Sequence, residues 1–183
     1  DPLTILARDG YKEIDKDLAT SAKAAFEERK HQLIEPEGAQ YFIQTFPPKP
    51  LLLLIGAAHI TVDLVAQAHL FGFETVVIDP RSYFAKNITF TQEPDKILNQ
   101  YPSEVLHRFP LDAYTFVAVL SHDPKIDDDA LEILLKEPVA YIGALGSKKT
   151  HQKRIERLTA LGFSEEEINR IHAPIGININ AKS

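Results

Sequence analysis

Residues 51–81 read LLLLIGAAHITVDLVAQAHLFGFETVVIDPR, and the fold follows from them. The stretch opens on Leu51, Leu52, Leu53, Leu54 and Ile55, without the polar alternation of a half-exposed strand. Such a run fits a parallel sheet covered on both faces. Gly56 ends it, and apolar residues then recur at helical spacing: Ile60, Leu64, Val65, Ala68 and Leu70. Gly72 stops that helix, since a helix terminus needing positive φ suits glycine. Thr75 to Ile78 is a second β-branched run, with Asp79 at its carboxyl end. The turn after the first strand sets backbone N–H groups at a helix N-terminus, where they can face an anion. Asp79 stands about twenty residues further on, where dinucleotide folds place an acid on a ribose. The expected fold is α/β, a Rossmann-like doubly wound parallel sheet.

The first loop departs from the dinucleotide pattern G-x-G-x-x-G. Gly56 is followed by Ala58 and Thr61 where the second and third glycines fall. Ala58 brings a methyl toward the position of a pyrophosphate, and Thr61 is expected to loosen the contact between helix and strand. A nucleotide-free doubly wound fold that keeps one glycine for its turn explains the loop equally well.

Composition narrows the classes. The chain has 183 residues, 44% hydrophobic and 25% charged, the make-up of a globular domain with a small appendage. No apolar run approaches the length of a membrane span. A net charge of −6 argues against a broad nucleic-acid surface. No signal peptide is visible, so a cytoplasmic location is expected. The absence of cysteine excludes disulfides, zinc–thiolate sites, thiol nucleophiles and persulfide carriage by this chain.

Residues 1–50 read as an extension outside the sheet. An amphipathic helix is expected over Asp17 to Glu35, with Leu18, Ala22, Ala25, Phe26 and Leu33 inward. Tyr41 to Phe46 reads as a strand, and Pro47-Pro48-Lys49-Pro50 as a stiff linker. One helix and one strand are too small to fold alone; packing on the sheet domain or across a homodimer is expected. Residues 51–183 form the main domain. After Arg81 an irregular segment is expected through Asn87, then a short strand over Asp95 to Asn99. Ser103 to Phe109 reads as a helix capped by Ser103. Thr115 to Leu120 is a buried strand, and Asp127 to Lys136 a helix with Asp127 and Asp128 at its positive end. Val139 to Ile142 is a strand, followed by a helix to Leu161. Ser164 and Glu167 form a capping box. Alternating strands and helices indicate a parallel sheet.

Four polar clusters fall at carboxyl ends of the expected strands: Gly56-Ala57-Ala58-His59, Asp79-Pro80-Arg81, Ser121-His122-Asp123, and Gly143 to Lys149. Ligands of open α/β sheets bind at that edge. In the last cluster, Gly143 and Gly146 allow close backbone approach, Ser147 caps a helix or bonds an oxyanion, and Lys148 and Lys149 add charge. That combination suits phosphate or another oxyanion, although the P-loop spacing fails. His59 and His122 read either as loop residues or as ligand contacts. No third ligand is fixed by spacing, so no metal site is assigned. Asp127 and Asp128 are explained by the helix end, and His172-Ala-Pro-Ile-Gly176 is a rigid turn that either returns over the site or ends the domain.

Together and in this order, these clusters resemble the XdhC/CoxI family, the accessory proteins of xanthine dehydrogenase and related molybdenum hydroxylases. The resemblance rests on Gly56-Ala57-Ala58-His59, Asp79-Pro80-Arg81, Ser121-His122-Asp123, Gly143-Ala-Leu-Gly-Ser-Lys-Lys-Thr150 and Ile171-His-Ala-Pro-Ile-Gly176. It spans roughly residues 51–183. Ala58 stands where the family has its second loop glycine, and residues 1–50 resemble a remnant of the family's longer amino-terminal domain.

The resemblance implies a chaperone without turnover of its own. Such a protein binds the molybdenum cofactor (molybdopterin), a pterin dithiolene ending in a phosphate. It protects the cofactor during sulfuration by a cysteine desulfurase and passes it to the apo-hydroxylase. Its implied partners are apo-xanthine dehydrogenase or a related enzyme, the desulfurase, and a second copy of the chain, with no nucleic acid and no membrane. The competing expectation is an NAD(P)-dependent oxidoreductase on the same edge, or a nucleotide-sensing module. Against the oxidoreductase stand the broken glycine pattern and the lack of a Tyr-x-x-x-Lys pair.

Overall fold

The computed structural model describes residues 16–81 and 89–177. The irregular segment expected after Arg81 lies outside them, as does the tail from 178. The chain divides into two compact units, Asp1–Pro48 and Lys49–Ser183.

In the first unit, helix α1 spans Lys16–Glu27 and buries Leu18, Ala22 and Ala25. It does not run to Glu35 as its pattern suggests. Arg29 takes a φ of 55°, which breaks the helical path. Pro36 also disfavours helix just before it. Strand β1 (Gln32–Ile34) then pairs antiparallel with β2 (Tyr41–Ile43), Gln32 opposite Ile43. The expected helix and single strand are thus a helix and a hairpin. Leu33, expected on the inward side of the helix, is 64% exposed on β1.

The second unit carries β3 (Leu51–Ile55), α2 (His59–Leu70), β4 (Glu74–Ile78), β5 (Lys96–Leu98), α3 (Pro102–Val105), β6 (Thr115–Val119), α4 (Pro124–Leu134), β7 (Tyr141–Ala144), α5 (Lys148–Ala160), α6 (Glu165–Ile168) and β8 (Ile171–His172). The strand order is β5-β4-β3-β6-β7-β8, and every pairing is parallel. This is the Rossmann order, whose direction of winding reverses between β3 and β6. Residues Leu51–Ile55 pair in step with Glu74–Ile78 on one side and Thr115–Val119 on the other.

Both faces of the sheet are covered, as the unbroken aliphatic runs require. Leu53, Ile55, Val76, Ile78, Val117 and Val119 point to one face, packed with Ile126, Leu131 and Leu134 of α4 and Leu158 of α5. Leu54, Val77 and Ala118 point to the other, against Val65 of α2. The inward face of α2 is Thr61, Val65 and Ala68, while Ile60 and Leu70 are exposed at 43% and 83%. The helix is apolar over more of its circumference than it buries, so its pattern misplaced the face.

Other boundaries shift for local reasons. Helix α3 starts at Pro102, whose fixed φ suits a first turn. Its N-cap is Tyr101, whose N–H is taken by Glu104 at 2.7 Å, and not Ser103. Helix α4 begins at Pro124 because Asp123 caps it, accepting from the Lys125 N–H at 2.9 Å. The Ser164–Glu167 capping box is present, with Glu167 accepting from Ser164 N–H at 2.8 Å. Ile171 and His172 add a sixth strand beside β7. Among the described residues no helix is long and apolar enough to cross a membrane.

Candidate functional site

The carboxyl ends of β3, β4, β6 and β7 are joined by one chain of hydrogen bonds. At β4, Asp79 is fully buried. Its Oδ2 accepts from Ala57 N–H at 2.7 Å and from Arg81 Nη2 at 2.8 Å. Its Oδ1 accepts from Arg81 N–H and Nε, both at 2.9 Å. Burial pushes this carboxyl up, but the Arg81 guanidinium and the two backbone N–H groups outweigh burial and hold it below its ordinary value. Arg81 Nη1 then donates to the Ser121 carbonyl at 3.3 Å.

From Ser121 the chain continues to β7. Ser121 Oγ donates to Asp127 Oδ1 at 2.5 Å, and Asp127 Oδ2 accepts from Arg154 Nη2 at 3.1 Å. The same Nη2 reaches the Leu145 carbonyl at 3.1 Å. Asp127 therefore does more than favour a helix end, as its position suggests: it is a buried partner of an arginine on the next helix. Asp128 likewise pairs bidentately with Arg157, Nη2 to Oδ1 at 3.0 Å.

The first loop is closed by contacts that its sequence disguises. Gly56 has a φ of 108°, and a Cβ there would stand 2.6 Å from the Ser121 backbone. The glycine is needed so that the β3 loop can touch the β6 loop at the reversal point. Thr61, expected to loosen the helix, is buried and tightens it. Its hydroxyl donates to Gly56 O at 2.8 Å and accepts from Ala58 N–H at 3.1 Å. The Ala57 and Ala58 N–H groups are thus bonded within the protein, and Asp79 has no acceptor position left for a ribose. His59 lies exposed at the start of α2.

The fourth cluster separates into two roles. Gly143 lies inside β7, and the space of its missing Cβ is filled by Ile175 and Tyr141 side chains at 2.5–2.7 Å. It accommodates the terminal turn, which folds back onto the sheet with Ile175 N–H donating to Ala144 O at 3.0 Å. Gly146 has a φ of 131° and leads into α5, where Ser147 caps the helix by accepting from Thr150 N–H at 3.1 Å.

Between α4 and α5, beyond β6 and β7, lies a cleft of about 260 Å³. Of the residues singled out in sequence, His122, Asp127, Ser147 and Lys149 line it; Lys148, the first loop, Asp79 and Arg81 do not. Lys153, Arg154 and Arg157 also line it, and they went unnoticed in the sequence. His122 stands at a φ of 60°, which turns the chain from β6 into the Asp123 cap. Burial, reinforced by the charge of Arg154, holds the neighbouring His151 imidazole below its usual value. Among the described residues no three His, Asp or Glu side chains are placed to hold a metal ion.

The XdhC Rossmann domain matches residues 52–183. The chain belongs to the XdhC family. A Bacillus subtilis relative, named as a probable subunit of xanthine dehydrogenase, is 28% identical over 141 residues, covering 77% of this chain and 40% of its own. The Escherichia coli molybdenum cofactor insertion chaperone PaoD is 37% identical over 83 residues, 42% of this chain and 26% of its own. A solved structure described as a xanthine dehydrogenase from Bacillus halodurans superposes with a TM-score of 0.61 at 29% identity, covering 78% of this chain and 39% of that one. The chain therefore spans about a quarter to two fifths of the length of these relatives.

Proposed function

We propose that this XdhC-family chain is an accessory protein that binds the molybdenum cofactor. In this reading it holds the cofactor for sulfuration by a cysteine desulfurase and for insertion into xanthine dehydrogenase or a related molybdenum hydroxylase. The observation that carries the reading is the similarity to a protein named as a molybdenum cofactor insertion chaperone. The structure supports it with a cation-lined cleft at the edge where such sheets bind ligands.

The residues on this edge suit the cofactor's phosphate end. Ser147, Lys149, Lys153 and Arg154 offer hydroxyl and cationic donors beside the N-terminus of α5. The chain has no cysteine to compete for the dithiolene-bound metal or to carry the sulfur itself. The metal and its pterin are cargo in this scheme, and the protein's part is to bind, shield and release. The named partners are the apo-hydroxylase, the desulfurase and a second copy of this chain, in a cytoplasmic setting.

Calorimetric titration with molybdopterin and, separately, with NADH tests the reading. The expected molybdopterin affinity is low-micromolar or tighter, about −8 kcal/mol, with NADH far weaker. Tight NADH binding without pterin binding would replace the chaperone reading by a nucleotide-dependent one.

A further inference from the structure

Arg154 is 1% exposed, yet only one of its three guanidinium nitrogens has acceptors. Its Nε and Nη1 are buried with none. A buried donor left unmet is costly, and more so on a charged group, so orphans of this kind are rare in folded proteins. The one carboxylate lining the same cleft, Asp127, is already divided between Ser121 and Arg154.

The surroundings of Arg154 point to what the missing acceptor is. Lys149, Lys153 and Arg157 line the cleft from successive turns of α5; with Arg157 paired to Asp128 and Arg154 to Asp127, the charges of Lys149 and Lys153 remain in excess there. The thirteen-residue helix adds the positive end of its dipole on the same side. A dianion with several oxygens matches this excess better than a singly charged carboxylate. At about 260 Å³, the cleft falls below the range of roughly 300–1,000 Å³ that encloses whole drug-sized ligands. It therefore takes one end of a ligand.

We propose that this cleft is a phosphate-monoester subsite with Arg154 as its buried anchor and Lys149 and Lys153 as its outer clamps, a refinement that rests on the reading of this sheet edge as the cofactor's. Nε and Nη1 lie beneath the accessible floor of the cleft. The phosphate meets them after a side-chain adjustment of the kind that commonly accompanies binding. Lys148, one residue before Lys149, does not line the cleft and takes no part.

The test is a titration of the full chain with phenyl phosphate, using phenol as control, at constant ionic strength and followed by amide NMR. Saturable shifts are expected in the Ser147 to Arg157 segment. Lys153→Ala and Arg154→Lys should each weaken binding about tenfold, equivalent to about 1.4 kcal/mol, whereas Lys148→Ala should change it less than twofold. Lys153 is exposed, so its variant reports on the subsite even if Arg154→Lys fails to fold. Absence of saturation, or affinity unchanged in a Lys153→Ala protein that melts like the parent, overturns the subsite. If molybdopterin binds but phenyl phosphate does not displace it, the subsite falls and the chaperone reading stands. If phenyl phosphate binds through Arg154 and Lys153 but molybdopterin does not bind, the subsite stands and the chaperone reading falls.

Discussion

Asp79 Oδ2 accepts a 2.7 Å hydrogen bond from the N–H of Ala57, twenty-two residues earlier in the chain. In a dinucleotide site such an acid reaches outward to a ribose; here it turns inward and fixes the phosphate-type loop. Asp79→Asn keeps the shape but removes the charge that holds Arg81. Breaking a buried pair by changing one partner costs about 3–5 kcal/mol; because Arg81 is partly exposed, the lower end is expected. Urea unfolding measures it. A loss under about 0.5 kcal/mol, the scatter of ordinary surface substitutions, would show that the bond is incidental.

Gly56 and Gly146 both have positive φ, but their surroundings differ. At Gly56 a methyl group meets the Ser121 backbone, which cannot move aside. Overpacking of about 1–3 kcal/mol adds to backbone strain of about 1–3 kcal/mol. Gly56→Ala should thus cost about 2–6 kcal/mol of stability. At Gly146 the methyl meets only the Thr150 side chain, at 3.0 Å. Gly146→Ala should unfold more readily than the parent through backbone strain and a small shift of Thr150, yet lose proportionately more ligand affinity because it disturbs the start of α5. Equal stability losses in the two variants would contradict the contact geometry.

Asp127 and Arg154 should be strongly coupled, since each is the other's buried counter-charge. Asp127→Leu or Arg154→Met alone strands a charge, at about 3–5 kcal/mol. The double variant strands none and should be less destabilised than the sum of the singles by at least about 1 kcal/mol. It should nevertheless bind no phosphate. Additive losses in denaturant melts would mean that the pair is structurally independent.

Acid should weaken the far end of β4. The backbone N–H of Thr75 (2.8 Å) lowers the carboxyl of Asp95 to about 2, despite some opposing burial, with His69 and the Thr75 hydroxyl assisting. A carboxyl whose folded value is depressed stabilises the fold above its ordinary value near 3.8 and loses that contribution as pH falls toward 2. The stability difference between the parent and Asp95→Asn should stay constant above about pH 5 and shrink steadily below it. A difference that is flat down to the acid limit would remove Asp95 from the acid response.

The sheet was legible because its strands advertise themselves. Leu51 to Ile55, Thr75 to Ile78 and Thr115 to Leu120 are runs with no polar interruption, and burial on both faces is what such runs mean. Strand β1 was hidden because Gln32-Leu33-Ile34 continues a charged, helix-compatible stretch; only its pairing with Tyr41–Ile43 makes it a strand. The loops were found by their glycines and histidines, but the partners of those loops were not. Asp127 and Arg154 resemble surface charges in the sequence. The available signal was their register: Asp127 falls with Ile126, Ala130, Leu131 and Leu134, and Arg154 stands four residues before Leu158. Opposite charges in the inward register of consecutive helices mark a buried pair. Residues were easier to place on an edge than to assign to a ligand, because Ala57, Asp79 and Gly143 are occupied by the protein itself.

The large sheet keeps its five-residue strands inside and ends on short ones, Lys96–Leu98 on one flank and Ile171–His172 on the other. Exposed strand margins are templates on which a second polypeptide can add its own backbone, and brevity is one way that natural proteins deny that template. At these two flanks, among the described residues, backbone pairing with a second polypeptide is limited to three and two residues.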